Sequence, residues 1–329
     1  MWQTLLAALI FGFSLGVTAK RVMLMSRGLS LQLDVESGAF DIFVDGAKWI
    51  ARDTSATAGI IPLANGDNLG PPKFHQQING TDRWGPFTSI ELAWSFPANP
   101  NAVVLITSVR SYTARELMIL EQTWPAGLTQ NVSGSDARTI APYPTLLTSS
   151  AENTTVPLNY YQWGGCQIAN SFGGRWTDAS TVPGGQRLGV PLLLYNSTGR
   201  SLVFSPAMNW LVAVHEEQDA RVGVGIKASV KHLPPGFKHG TALVGGGTIN
   251  QTMYNLGDTL LGQTQKTRVN PDDDFVLSHL GYWTDNGAFY DSSNNVTNFK
   301  NHEDMLVAMK KQWQAQNIPF RYVQVSEGE

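Results

Sequence analysis

Three groups of residues have the types and spacing that could do chemistry. Trp283, Asp285 and Asn286 fall within Leu280-Gly281-Tyr282-Trp283-Thr284-Asp285-Asn286-Gly287. An indole face can stack on sugar C–H groups, and the Asp and Asn beside it can take hydroxyls. Asp, Asn and Gly in succession are also turn formers. His215-Glu216-Glu217 offers imidazole and carboxylates for acid–base or ligand work, but it follows a predicted strand and is expected to be a solvent-facing loop. His232 and His239 flank Pro234-Pro235-Gly236 at a spacing that fits no usual zinc pattern, so surface loop histidines are expected. No metal ligand set and no cofactor motif emerges. Gly245-Gly246-Gly247 lacks the lysine and the strand–loop–helix frame of a phosphate loop, which leaves a bulge or turn. Cys166 is the only cysteine, so no internal disulfide can form, and a buried free thiol is expected.

The elements that must position these residues are mostly strands. Residues 31–35 and 40–44 alternate apolar with polar side chains, and Asp45-Gly46 makes a hairpin turn before Trp49. Similar runs recur at 90–96, 102–112, 116–124, 188–195, 202–205, 210–215, 222–230 and 241–250, separated by Pro-, Asn- and Gly-rich turns. Many short strands with regular turns predict a two-sheet sandwich. This one is large enough to be supersandwich-like, and it is assigned to residues 20–270. The 329 residues contain 42% hydrophobic and 15% charged residues, with 32 Gly and 10 Trp. That composition excludes general disorder. A formal net charge of -3 gives no basic field for nucleic acid.

The first 19 residues read as a signal peptide, with an apolar run over 5–17 and small residues at Val17-Thr18-Ala19. No other stretch could cross a bilayer, so no stable membrane insertion is expected after cleavage. Asn-x-Ser/Thr sequons begin at Asn79, Asn131, Asn153, Asn196, Asn250 and Asn295. Together these predict a secreted glycoprotein, or one in the lumen of the secretory or lysosomal pathway.

After Asn270-Pro271-Asp272-Asp273-Asp274 the pattern changes. Residues 275–283 read as a short apolar strand. A helix is predicted over about 301–316, with Met305, Met309 and Trp313 on one face and Asn298 or Asn301 as its cap. Residues 320–325 read as a second strand. Strand, helix, strand at this spacing is a βαβ unit.

The segments YWTDNGAFY (282–290) and IPFRYVQ (318–324) together resemble the start of the catalytic barrel in the α-glycosidases of glycoside hydrolase families 31 and 36. The resemblance implies a mainly β chain: a large β-sandwich followed, over residues 271–329, by an incomplete (β/α)8 barrel holding the first strand, helix and second strand. It implies hydrolysis of O-glycosyl bonds in α-galactosides or α-glucosides, with carbohydrate as the partner and no metal. It places Trp283, Asp285 and Asn286 at the C-terminal end of the first barrel strand, where barrel sites are built. Where that group carries a sugar-binding aspartate after the second strand, this chain has Ser326-Glu327-Gly328-Glu329. Its nucleophile and acid/base carboxylates come from later strands. The resemblance therefore assigns no catalytic residue here and implies an inactive N-terminal portion. The alternative is a carbohydrate-binding or interaction sandwich without enzymatic activity.

Overall fold

The structure is a computed structural model that describes residues 21–52, 60–129, 134–148, 156–163, 171–176, 186–187, 190–218, 220–283 and 302–325. The chain divides into two compact units, Met1–Lys266 and Thr267–Glu329.

The first unit is built on a nine-stranded antiparallel sheet. Its order is Phe172–Arg175, Asn159–Gln162, Leu192–Tyr195, Ser201–Pro206, Phe237–Gly246, Leu117–Trp124, Asn99–Tyr112, Gly85–Phe96 and Lys73–Asp82. Two four-stranded sheets accompany it. One is the N-terminal meander Arg21–Ser26, Leu29–Asp34, Phe40–Val44 and Ala47–Ile50. The other runs Thr145–Leu147, Arg221–Ile226, Ala213–Gln218 and Gln186–Arg187. The meander follows from its sequence: Leu29, Leu31 and Leu33 point inward from one strand, and Asp45 and Gly46 both take positive φ in the turn.

Alternation along the large sheet feeds two faces. Met118, Leu120 and Leu243 join Leu31, Ile42, Leu146 and Val222 in one apolar cluster, which seals the sandwich. Their neighbours Leu117, Ile119, Ala242 and Val244 join Leu256 in another cluster on the opposite face. A mainly β sandwich is thus the observed architecture, as the strand pattern predicts.

Several expectations are corrected. One strand is expected over 241–250, but the strand Phe237–Gly246 ends at its glycines and the helix Ile249–Gln263 begins three residues later. Of the two readings of the glycine run, a bulge or a turn, the structure favours the turn: the strand ends at Gly246 and the chain bends at Gly247-Thr248. Thr248 caps this helix by accepting a hydrogen bond from the Gln251 N–H at 3.2 Å. Strand Lys73–Asp82, a mostly exposed edge, also lacks an apolar signal.

The second unit contains a parallel pair, Gly281–Trp283 with Tyr322–Gln324, bridged by the helix His302–Ala315. That is the expected strand–helix–strand order. The predicted strand over 275–283 is only half right. Asp274 caps a single helical turn, Phe275–Ser278, by accepting from the N–H groups of Val276 and Leu277, and extended pairing starts only at Gly281. An aspartate at that position diverts an apolar run that would otherwise continue as strand.

Candidate functional site

In the second unit the strand–helix–strand packs through aromatic rings. Tyr282 lies 5.0 Å from Trp313 and 6.3 Å from Phe320 between ring centroids, and Trp313 lies 4.4 Å from Phe320. Met305 is fully buried beneath the same helix. These contacts orient the C-terminal end of Gly281–Trp283, where the Trp283 side chain is 48% exposed. An exposed indole at a strand's C-terminal end can present its face to a ligand. Asp285 and Asn286, the other two predicted sugar-binding residues, lie outside the described residues, as do Asn298 and Asn301.

The first unit overturns the expectation for His215-Glu216-Glu217 and, for the second pair, that for His239 but not that for His232. His215 and Glu216 are not a solvent-facing loop. They sit buried in the strand Ala213–Gln218, and only Glu217 is partly open. His239 is equally buried in Phe237–Gly246, opposite Gln122 in the neighbouring strand, while His232 is exposed and lies 3.1 Å from the Thr129 hydroxyl. Polar side chains are tolerated inside a sheet when partners come from other strands. Gln162 Nε2 donates to Nδ1 of His215 at 3.1 Å, and Gln122 Nε2 donates to the carbonyls of Ala141 and Tyr143, each at 3.0 Å. Among the described residues, Nε2 of His215 and both ring nitrogens of His239 make no hydrogen bond of good geometry.

Burial pushes both imidazoles from the ordinary 6.5 down to about 4. The nearness of His239 lowers His215 further, whereas the Met208 backbone opposes the shift at His239. Both rings are neutral near pH 7. Among the described residues, neither ring pairs with a carboxylate of the kind a catalytic histidine uses.

Glu216 has a separate environment. Its Oε2 accepts the Thr139 N–H at 2.6 Å and lies 3.5 Å from Nε of Arg138. Arg138 also donates to the Gln218 side-chain carbonyl. Among the described residues, no cluster of His, Cys, Asp and Glu could hold a metal ion, and no helix is long and apolar enough to cross a membrane. Of the sequon asparagines, Asn79 and Asn250 are exposed and Asn196 is half-buried, whereas Asn131, Asn153 and Asn295 lie outside the described residues. Cys166 and residues 1–19 lie outside them as well.

No family profile and no curated protein matches the chain. Solved structures do. The α-N-acetylgalactosaminidase NagBb from Bifidobacterium bifidum, in its GalNAc complex, is similar with a TM-score of 0.54 at 14% identity. That match covers 92% of this chain and 51% of that one. The same enzyme with Gal-NHAc-DNJ gives a TM-score of 0.51 at 11% identity, over the same shares of the two chains. The GH36 α-galactosidase AgaB from Geobacillus stearothermophilus matches over 93% of this chain and 49% of its own, with a TM-score of 0.47 at 11% identity. The chain therefore spans about half the length of these structures. Over 92% of the chain the fold is similar to that of part of the NagBb structures.

Proposed function

We propose that this chain is the sandwich and the first strand–helix–strand of a glycoside hydrolase that acts on α-linked galactose-type sugars. The observation that carries this reading is the fold likeness to NagBb, which runs over 92% of the chain. A parallel strand pair bridged by one helix, following a large sandwich, supports the same reading. In this reading Trp283 presents its ring to a sugar, and Asp285 and Asn286 take its hydroxyls. The protein travels the secretory pathway, residues 1–19 are removed, and the six sequons are glycosylated. The chain alone does not hydrolyse, because the family resemblance assigns both catalytic carboxylates to barrel strands that follow the second one.

Two measurements test this. The coding sequence downstream of the Val325 codon should specify further strand–helix units. A polypeptide that includes them should release nitrophenol from p-nitrophenyl α-galactoside or α-N-acetylgalactosaminide, while residues 20–329 give no release above buffer. Turnover by the shorter chain would overturn its inactivity. An extended product that hydrolyses neither substrate would overturn the proposed activity. The alternative, a binding sandwich without hydrolysis, is favoured by the three apolar clusters that the first unit supplies from its own strands and helix.

A further inference from the structure

We propose that the first unit carries a carbohydrate-binding cleft of its own, with Glu216 as its central acceptor and a neutral polyhydroxylated ligand as its occupant. The cleft has a volume of about 430 Å³, within the range of small-molecule sites. Glu216, Arg138, Gln218 and Arg221 are among its polar lining residues, and Ile60, Pro62 and Pro142 among its apolar ones.

The two oxygens of Glu216 differ. Oε2 is taken by the Thr139 N–H and the Arg138 guanidinium. Oε1 receives no hydrogen bond from a described residue and is not among the sealed polar atoms. Gly223 keeps it approachable. A Cβ there would meet the Pro142 side chain at 2.7 Å, Glu216 Cγ at 3.1 Å and Oε1 at 3.3 Å. A side chain at this position would therefore crowd the carboxylate from the cleft side.

This arrangement restricts the ligand. An ionised carboxylate oxygen only accepts, so the ligand must donate to it. The Arg138 guanidinium, which also serves Glu216 and Gln218, only donates, so a ligand beside it must also accept. An ammonium cannot accept, and the Arg138 guanidinium repels it. An anion without an O–H cannot donate, and the open oxygen of Glu216 repels any anion. A hydroxyl does both. Several hydroxyls on a carbon ring would place O–H groups beside the polar lining residues and C–H groups against Ile60, Pro62 and Pro142. The cleft makes no use of Trp283 and needs no barrel residue.

Isothermal titration of residues 20–329 with galactose, N-acetylgalactosamine, glucose, methylammonium and inorganic phosphate tests the proposal. Only the choice of the first two sugars rests on the galactosidase reading above. Saturable binding of at least one neutral sugar is expected. Its Kd should rise about tenfold or more in Glu216→Gln, which removes a charged acceptor. Because Glu216 also holds Thr139 and Arg138, Ile60→Trp serves as a second variant. It fills the mouth of the cleft from an exposed position and should weaken the same sugar by a similar factor while the melting temperature is kept. Sugar binding that survives both variants would overturn the assignment to this cleft. Binding of only phosphate or methylammonium, or of nothing, would overturn the ligand class. Glucose binding without galactose would leave the cleft standing and count against the galactose-type activity, so the two ideas fail separately.

Discussion

The two units use the same kinds of apolar residue in opposite ways. In the sandwich, Leu31, Ile42, Trp124, Phe204 and Leu243 are completely buried. In the second unit, Phe275, Leu277, Leu280, Val323 and Val325 are all more than 40% exposed, and among its described residues Met305 is the fully buried apolar one. Local sequence is enough to set a parallel register between Gly281–Trp283 and Tyr322–Gln324. Burial is what makes such a pair stable, and parallel sheets are normally covered on both faces. The first unit thus has the composition of a finished core, and the second has well-formed elements around a thin one.

The sharpest way to break this comparison is one substitution made in both units. Leu243→Ala opens a cavity in the sandwich and should cost about 2–5 kcal/mol. Leu280→Ala removes a side chain that is 52% exposed and should change stability by less than about 0.5 kcal/mol. Urea unfolding followed by tryptophan fluorescence reads both. Equal losses would show that Leu280 is as well covered as the sandwich core.

The same contrast explains what the sequence discloses. Alternation in 40–44, 90–96 and 102–112 is legible because each of those strands has one face in an apolar cluster. The helix Ile249–Gln263 hides its pattern among Thr, Asn and Gly, yet Ile249, Met253, Leu256 and Leu260 follow helical spacing, and Thr248 is an N-cap residue that accepts from the Gln251 N–H. His215, Glu216 and His239 look like surface residues because nothing within a strand announces a polar partner on a distant one. Gln162 lies 53 residues from His215, and Thr139 lies 77 from Glu216. The cleft is illegible for the same reason, since it draws on segments near residues 38, 61, 138, 145 and 216. The YWTDNGAFY and IPFRYVQ segments are readable because one contiguous stretch carries the whole strand–helix–strand.

Acid should find the weak point of the better-packed unit. His215 and His239 titrate at about 4 when folded, against an ordinary value of 6.5. Between those values the unfolded chain binds more protons than the folded one, so stability falls as pH is lowered through that window. The loss is complete near pH 4 and absent above about 6.5. Its size is on the order of 3 kcal/mol for each ring taken alone. Urea midpoints measured from pH 7.5 to 4.5 should decline, and replacing His239 with Asn should flatten the decline. A midpoint that stays constant would mean that the rings gain protons without unfolding.

The smallest expected effects lie at the two helix caps, and they sharpen the comparison because the bonds differ in number opposite to their worth. Thr248 accepts one N–H, from Gln251, whereas Asp274 accepts two, from Val276 and Leu277 at 2.9 and 3.0 Å. Counted as bonds, Asp274 should matter more. Yet Thr248 starts a helix of 15 residues whose inner face buries Thr252, Leu256 and Thr259. Fraying its first turn therefore loosens packing against the large sheet. Asp274 starts a four-residue turn with no buried residue, and loss of its bonds returns those N–H groups to water. Thr248→Ala should cost about 1 kcal/mol, and Asp274→Ala no more than a few tenths, in the same urea titration. The reverse order would mean that the turn Phe275–Ser278 is held by more than its own capping bonds, and that the second unit is less loosely cored than its exposed side chains imply.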